Sequence, residues 1–357
     1  MKVFHCDHCR QLVFFENTLC VKCENRLAYI PDLGVVGSLD EKENGELTSP
    51  LPRAEGRLYK LCANYTQHNV CNWAMPSDDP QSLCTACRLT RTIPDLTRPG
   101  HKALWAKLET AKRRLVYTLM GLHLPVASKD DDPANGLLFE FLADAAPDTA
   151  QPILTGHASG TVTVNIAEAD DAEREKRRVQ LGEPYRTLLG HLRHEVGHYY
   201  WSRLIAGSDR IDSFRELFGD ERADYGEALK AHYRDGPVAD WRERSVSSYA
   251  CSHPWEDWAE TWAHYLHIVD TLETASDCGL SLRPARRGDP KLASAPDPID
   301  NPAAPFDRLL ESWFPLTYVL NNLNRGLGQP DAYPFVLPPK AIQKLRFIHE
   351  IIASTSA

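Results

Sequence analysis

Residues 191–201 have the sequence HLRHEVGHYYW, in which two histidines stand four positions apart and a glutamate directly follows the first. Positions i and i+4 of an α-helix point the same way, so His194 and His198 can reach one metal ion. Glu195 would then lie beside the open coordination position, where hydrolysis needs a general base. The pattern predicts a metal-dependent hydrolytic site, and the alternative is a polar face of an ordinary helix.

The residues around this motif predict a buried helix. The segment EPYRTLLGHLRHEVGHYYWSRLIAGS places Pro184 at a favoured first-turn position and Gly207 at a favoured stop. A broad apolar face recurs at helical spacing between them, formed by Leu188, Leu189, Leu192, Val196, Tyr199 and Ile205.

A catalytic zinc takes three protein ligands and leaves a fourth position open. Two downstream segments offer the third ligand: FGDERADYGEAL with Glu221 or Asp224, and SSYACSHPWEDWAETWAHYLH with Glu256, Glu260 and His264 at helical spacing. We favour Glu256 as the ligand and keep Glu221 as the alternative. Glu260, one turn further on, is expected to hydrogen-bond a ligand histidine and orient its ring, with His264 in the same polar network.

The cysteines indicate metal sites rather than disulfides. The stretch MKVFHCDHCRQ has no apolar run, and no eighteen consecutive residues are apolar, so neither a signal peptide nor a membrane span is expected and the predicted location is the cytoplasm. Eight of the 10 cysteines fall in the first 87 residues, mostly as Cys-x-x-Cys pairs. Such pairs in a reducing compartment are typical zinc ligands.

Two four-cysteine zinc sites are predicted. The first is formed by two Cys-x-x-Cys turns, or knuckles, in FHCDHCRQLVFFENTLCVKC, and its ligands are Cys6, Cys9, Cys20 and Cys23. So short a module cannot be stabilised by core burial, so the metal must hold it together. The second lies in LYKLCANYTQHNVCNWAMPSDDPQSLCTAC; its ligands are Cys62, Cys71, Cys84 and Cys87. His68 is an alternative to one of the first two of these. Cys251 and Cys278 are isolated and are expected to be small buried thiols.

The net charge of the chain indicates which kinds of partner it can bind. A net charge of −9 argues against the whole chain lying on nucleic acid or on an anionic membrane. Residues 88–114 carry a local excess of Arg and Lys, which is more often a solvated helix face than a nucleic-acid site. Zinc ribbons mostly serve structure or grip a protein partner. We therefore expect a protein or peptide substrate and a protein docked on the ribbons, and no nucleic acid or membrane.

The fold class expected is α+β. Residues 100–122 have helical spacing, and GLLFEFLAD and TGHASGTVTVNIAEADD predict hairpin-like strands ahead of the motif helix. The predicted division of the chain is a zinc ribbon at 1–28, a linker or extended wrap at 29–56, a second four-cysteine zinc-binding module at 57–98, a metallopeptidase domain at 99–275, a Pro-rich loop at 276–305 and helices packing back on the core at 306–357.

The order HEVGH, then YACSHPWEDWAE, is similar to the zincin metallopeptidases of the lethal-factor-like and Pro-Pro-endopeptidase group. In that group a Tyr lies seven residues before a Glu ligand, and Tyr249 and Glu256 keep this interval. Glu260 matches the group's second acid, whereas Asp257 replaces an aromatic residue. The wider run through FGDERADYGEAL, with the cysteine-knuckle front, resembles bacterial zinc-binding metallopeptidases that carry an N-terminal zinc ribbon, over most of the chain.

The resemblance implies a zincin-like, mainly helical domain with a small mixed sheet behind four-cysteine zinc-ribbon modules. It implies a gluzincin-like zinc endopeptidase with one catalytic and two structural zinc ions. Zinc on His194, His198 and Glu256 would lower the pKa of its water, and Glu195 would take the proton as that water attacks the scissile carbonyl. Tyr249 would donate a hydrogen bond to the developing oxyanion. Substrate would lie along the edge strand near residues 161–166.

Two other functions stay open from the sequence. One is a zinc-stabilised binding adaptor with little or no turnover, although an inactive scaffold has no need for the base Glu195. The other is a protease recruited to DNA-bound proteins by the ribbons and the basic segment, for which the net acidity predicts weak retention on DNA.

Overall fold

The computed structural model describes residues 1–144, 153–180 and 182–355. Long helices and small sheets make up this part of the chain, which confirms the mixed α+β class. Of the predicted segments, residues 145–152 and 181 of the 99–275 domain and the last two residues of the C-terminal segment lie outside it. Within the described ranges, none of the helices is both long and apolar enough to cross a membrane.

The N-terminal part consists of short strands and single helical turns. In chain order these are β1 (Phe4–His5), β2 (Leu12–Val13), β3 (Leu27–Ile30), β4 (Val35–Ser38), β5 (Asp40–Glu41), β6 (Leu47–Thr48), β7 (Leu58–Leu61), α1 (Ala63–Thr66), β8 (Ala74–Pro76), α2 (Thr85–Arg88) and β9 (Thr90–Thr92). Strands β1 and β2 pair antiparallel, as do β3 and β4, and β5 to β8 form an antiparallel sheet in chain order.

Residues 29–56 differ from the predicted linker, because they form most of β3 to β6. Their turn formers close tight hairpins: Gly34 and Gly45 both adopt positive φ, at 67° and 81°. Ile30, Leu33 and Leu39 are buried in a small core with Tyr59 from β7. This apolar burial ties the segment to the second module as one folded unit.

The next part of the chain builds a mixed sheet against a long helix. Its elements are α3 (His101–Gly121), β10 (Leu138–Leu142), β11 (Gly156–Ala158) and β12 (Thr161–Asn165). The strand order is β11-β12-β10-β9, with β10 parallel to both β9 and β12 and only β11 antiparallel to β12. The hairpin expectation therefore describes β11 and β12 alone. Strand β9, assigned from the sequence to the second module, joins this sheet because it covers the free edge of β10.

The remaining elements are helices: α4 (Asp171–Gln180), α5 (Leu188–Leu204), α6 (Ile211–Phe218), α7 (Tyr225–Asp235), α8 (Trp241–Arg244), α9 (Pro254–Asp277), α10 (Phe306–Gly326) and α11 (Pro339–Thr355). The motif helix α5 begins after Thr187, whose side chain accepts from the Gly190 N–H, and not at Pro184. Helix α9 begins at Pro254, where the missing N–H costs nothing, and His253 caps it.

One hydrophobic core runs from the first zinc module into the helices. Phe15 contacts Tyr117 of α3 with ring centroids 5.5 Å apart, and Arg114 of α3 forms an ion pair with Glu16. Helices α3, α5 and α9 pack together at the centre, and α10 and α11 pack on α9. The first module is thus docked on the helical part rather than tethered to it.

Most basic side chains of residues 88–114 have internal partners. They form ion pairs Arg88–Asp79, Arg91–Glu140, Lys107–Asp171, Lys112–Glu109 and Arg114–Glu16. Lys112 and Glu109 are completely buried. Most of these charges are therefore paired with acidic residues of the same chain.

Asp257, which replaces an aromatic residue of the resembled pattern, forms a buried ion pair with Lys344 of α11. Breaking a buried pair leaves an unpaired charge and costs about 3–5 kcal/mol. We expect Lys344→Met to lower the free energy of unfolding, measured in urea, by that amount. The control is Arg346→Ala on the same helix, whose exposed pair with Asp307 should contribute no more than about 1 kcal/mol. Equal small effects for the two variants would contradict the anchoring of α9 by α11.

Candidate metal centres and active site

The first cysteine group is built from two knuckles with the same backbone geometry. Cys6 N donates to Gln11 O and Cys20 N donates to Asn25 O. Each knuckle contains a non-glycine residue with left-handed backbone, Arg10 at φ 63° and Glu24 at φ 58°. Such a conformation costs on the order of 1–3 kcal/mol, which metal binding can offset.

The thiols fit zinc by their spacing. A tetrahedral site with Zn–S bonds of about 2.3 Å separates its sulfurs by roughly 3.8 Å. Cys6 and Cys23 have Sγ atoms 3.6 Å apart, and those of Cys9 and Cys20 are 3.5 Å apart. The predicted four donors lie together within 4.8 Å of one another.

The second cysteine group is fully buried; its members are Cys62, Cys71, Cys84 and Cys87. The Sγ atoms of Cys71 and Cys84 are 3.8 Å apart, and the backbone N–H groups of Trp73 and Cys84 point at sulfurs. His68 stands apart from these donors, since its ring packs on Trp105 with centroids 5.5 Å apart. The four-cysteine set is the one that the fold brings together.

The two isolated cysteines differ from the buried thiols expected. Cys278 is exposed just after the end of α9, and Cys251 is half-buried with its thiol donating to Ser248 O. His5 and His8 are exposed beside the first knuckle.

The third group that could hold a metal ion joins α5 and α9. His194 Nε2 lies 3.0 Å from Glu256 Oε2, and His198 Nε2 lies 3.6 Å from Glu256 Oε1. A zinc with Zn–N bonds of about 2.0–2.1 Å spaces its donor atoms by roughly 3.3–3.4 Å. Glu256 is almost completely buried, yet its Oε2 accepts no hydrogen bond from the described residues. The ring nitrogens of the two histidines and the oxygens of Glu256 thus face one another without hydrogen-bond geometry. This arrangement fits a divalent cation between them.

A glycine makes this approach of the two helices possible. A Cβ on Gly197, the fourth residue of HEVGH, would lie 2.9 Å from the Ala259 Cα of α9. The carbonyl of Gly197 accepts a hydrogen bond of 2.8 Å from Trp258 Nε1. The close backbone contact sets the distance between the histidines of α5 and the carboxylate of α9.

Glu260 holds the ring of His194. Its Oε1 accepts from His194 Nδ1 at 2.8 Å, and its Oε2 accepts from Ser247 Oγ at 2.6 Å. This bond leaves Nε2 of His194 free to face Glu256. Burial disfavours the charged ring, but contacts with Glu256 and Glu260 outweigh it and raise the pKa of His194. A site so rich in carboxylates favours a cation.

His264 takes a different partner from the one expected. Its Nδ1 lies 2.6 Å from the Tyr333 hydroxyl, and its ring packs on Phe335 with centroids 4.4 Å apart. Burial lowers the pKa of His264 to about 4, so the ring is neutral. The side chain points to the C-terminal segment because it lies one turn beyond Glu260, where α10 and its following loop cover α9.

The alternative third ligands lie elsewhere. Glu221 accepts from Arg215 Nε at 3.0 Å and from Nη2 at 2.6 Å, a bidentate pair that occupies both its oxygens. Asp224 caps α7 by accepting from the Glu227 N–H. Among these carboxylates, only Glu256 lies within ligand distance of both histidines.

Glu195 has a buried carboxylate, and one of its two oxygens contacts a histidine. His191 Nε2 lies 3.3 Å from Glu195 Oε1, whereas Oε2 is buried without a hydrogen-bond partner among the described residues. Burial alone would raise the pKa of Glu195, but the neighbouring histidines 191, 194 and 198 lower it, so the group is an anion. Sequence reasoning missed His191, although its i, i+4 relation to Glu195 on one helix could have revealed it.

Two tyrosines lie at the site. The Tyr249 ring packs between the rings of His194 and His232, with centroids 6.1 and 6.0 Å away. The Tyr225 hydroxyl donates to Glu256 Oε1 at 2.7 Å. Burial and then the charge of Glu256 raise the pKa of both phenols, so both remain donors. Sequence reasoning missed Tyr225, because it considered this segment only for its carboxylates. No local spacing links Tyr225 to Glu256.

Partners that orient a metal ligand typically change metal affinity by about 10- to 100-fold when removed. We therefore expect Tyr225→Phe to lose zinc to a competing chelator at a 10- to 100-fold lower chelator concentration than the wild type. The control is Tyr233→Phe, which alters an exposed phenol on the same helix α7. Equal zinc retention in the two variants would contradict an orienting role for Tyr225.

The edge of the mixed sheet lies next to the site, but not at the strand expected. Strand β12, which covers most of residues 161–166, is interior because β11 pairs with it, and β11 is the edge among the described strands. His157 of β11 stacks over His198 with ring centroids 6.2 Å apart. Burial, and then the charge of His198, lower the pKa of His157 to about 4, and its Nε2 accepts from the Gly160 N–H. The exposed backbone nearest the histidines therefore belongs to β11.

The sequence model of a family described as "Putative zinc-binding metallo-peptidase" matches residues 101–351, which include α5, α7 and α9. The chain belongs to this family. A zinc-ribbon domain matches residues 3–98, so both cysteine groups fall within one such domain. The metallopeptidase family with an N-terminal zinc ribbon that the sequence resembled is thus confirmed.

Similar proteins occur in mycobacteria. An uncharacterized protein of Mycobacterium bovis and one of Mycobacterium tuberculosis are each 44% identical to this chain over 353 residues, covering 99% of this chain and 95% of the relative. No solved structure matches the chain.

Proposed function

We propose that this protein is a zinc-dependent endopeptidase of the zincin type, gluzincin-like in taking a glutamate as its third ligand. The observation that carries the proposal is the convergence of His194, His198 and Glu256, with the anionic Glu195 on the same helix as the two histidines. We also propose two structural zinc ions in the cysteine groups. When bound by the histidines, zinc would polarise the scissile carbonyl and lower the pKa of a coordinated water to about 7.

The chain's own residues supply the rest of the chemistry. Glu195 accepts the proton of the attacking water through its free Oε2 and returns it to the leaving amine. Tyr249, kept protonated beside His194, donates to the oxyanion that forms from the scissile carbonyl. Glu260 keeps His194 in the tautomer that presents Nε2. The site therefore offers a base, a hydrogen-bond donor for the oxyanion and a carboxylate that orients a ligand. This combination favours catalysis over an inactive scaffold.

The proposed substrate is a protein or peptide lying extended along β11. An edge strand offers unpaired backbone groups, and an added strand gains affinity from main-chain hydrogen bonds. Strand β11 is short and contacts α5 through His157 and His198, so a peptide paired with it would pass the histidines.

The zinc ribbon is proposed to dock a protein partner. It exposes apolar side chains, among them Phe14 at 79% and Val21 at 82% exposure. The basic segment, by contrast, places most of its charge in internal ion pairs, which favours a protein partner over recruitment to DNA. Free cysteines held in metal-ligand groups are consistent with a cytoplasmic location.

A peptide library derived from a whole proteome tests the activity. The zinc-loaded protein is incubated with the library, and new peptide termini are found by mass spectrometry. Cleavage should disappear when a zinc chelator is added and return with zinc. A protein that holds all its zinc and produces no new termini would support the adaptor function instead.

A further inference from the structure

The proposed base Glu195 contacts a histidine that is not one of the proposed zinc ligands. His191 lies one turn before it on α5, with Nε2 3.3 Å from Glu195 Oε1. The other ring nitrogen of His191, Nδ1, lies 3.7 Å from Glu168 Oε2. The imidazole thus stands between two carboxylates, one from α5 and one from the turn that follows β12.

Glu168 is itself held by two arginines. Its side chain is 2% exposed, and it receives Arg177 Nη1 at 2.6 Å and Arg186 Nη2 at 3.1 Å. Burial alone would raise the pKa of Glu168, but contacts with His191, Arg186 and Arg177 lower it to about 2. The carboxylate is an anion held by two guanidinium groups, so it places a fixed negative charge 3.7 Å from His191 Nδ1.

The surroundings of this chain of contacts are largely apolar. Leu108, Val164, Leu188 and Leu192 line the narrow space beside these three groups, where Glu168 is 2% exposed and His191 is 21% exposed. In surroundings of low polarity, the attraction between an imidazole and a carboxylate is stronger, and its loss is more costly, than in water. Because Oε2 of Glu195 has no hydrogen-bond partner among the described residues, the contact of Oε1 with His191 is the one available to orient this carboxylate.

We propose that His191, backed by Glu168, is a positioning residue for the general base: it holds Oε1 of Glu195 and leaves Oε2 free for the water's proton. This inference rests on the proposed function, because it assigns a task to Glu195 in peptide hydrolysis. It concerns His191 and Glu168, which lie outside the groups of residues that could hold a metal ion.

Two variants separate this role from packing. His191→Leu removes the donor, whereas His191→Gln keeps an N–H that can reach the carboxylate. We expect His191→Leu to lower kcat for a cleaved library peptide by about 10- to 100-fold, with KM and zinc content unchanged, and His191→Gln to recover most of the loss. The control is Glu175→Gln, which alters an exposed glutamate of α4 that pairs with Arg178, and it should keep wild-type kcat.

A second readout needs no substrate. Acetohydroxamic acid chelates zinc and shares a proton with a carboxylate beside it, so its Kd, measured by calorimetry on the zinc-loaded protein, reports the orientation of Glu195. The Kd should rise about tenfold in His191→Leu. Should that variant fold poorly, Glu168→Gln keeps His191 in place, removes its charged support and should raise the Kd in the same direction.

Wild-type kcat and wild-type hydroxamate affinity in fully zinc-loaded His191→Leu, or in Glu168→Gln where it replaces that variant, would overturn the positioning role. A wild-type protein that cleaves nothing would instead count against the peptidase function. In that case the hydroxamate affinities still decide whether His191 orients Glu195.

Discussion

Glu195→Gln should abolish peptide cleavage while leaving the zinc content unchanged. The substitution keeps the size of the side chain but removes the group that accepts a proton, and general-base catalysis contributes about 10²–10⁴-fold to rate. Glu195 is not among the three residues whose donor atoms converge, so metal binding does not depend on it. Cleavage rates and zinc per chain, measured on the same preparation, check both expectations.

A surface glutamate provides the comparison for this variant. Glu216→Gln alters an exposed residue on α6 and should cleave like the wild type. If Glu195→Gln kept near wild-type turnover with its zinc in place, Glu195 would not be the base, and the residue that accepts the proton would have to be sought elsewhere.

Glu256→Ala should remove one zinc and all activity together. It deletes one of the three proposed ligands, and the loss of a ligand should weaken binding by more than the roughly 100-fold caused by changes around a ligand. After dialysis, elemental analysis should fall from about three zinc ions per chain to about two, because the two cysteine sites are separate. The alternative explanation, a general loss of folding, is checked by the unchanged metal content of those cysteine sites.

Glu221→Ala is the matched control, since Glu221 was the other carboxylate suggested by the sequence. It should keep its zinc and most of its activity, because Glu221 contacts Arg215 and not the histidines. Zinc loss in Glu221→Ala combined with full zinc in Glu256→Ala would reverse the assignment of the third ligand.

The parts of the site predicted from sequence are those that local spacing encodes. The i, i+4 relation within HEVGH and the Cys-x-x-Cys knuckles bring donors together within one helix or one turn, whatever the rest of the fold does. Glu256 lies on a separate helix, and the choice of Glu256 over Glu221 rested on the motif match more than on independent physics. Its meeting with α5 depends on the close contact at Gly197, which only the packed helices reveal.

Features that arise from tertiary contacts were missed or misassigned. Tyr225 reaches Glu256 across a loop, and Glu168 reaches His191 from the sheet, so neither has a sequence spacing to mark it. Residues 29–56 have the composition of a linker, but apolar side chains among them are buried against β7. Strand β9 joins a sheet whose other strands lie more than 40 residues further on, a pairing that no local pattern encodes.

The most direct test of a zinc centre on α5 and α9 is anomalous X-ray diffraction from a crystal, recorded on both sides of the zinc absorption edge. A difference peak between His194, His198 and Glu256, in addition to one in each cysteine group, is the result we predict. Peaks in the two cysteine groups alone, from protein purified with zinc present, would contradict the proposed catalytic centre and leave the chain a zinc-stabilised scaffold.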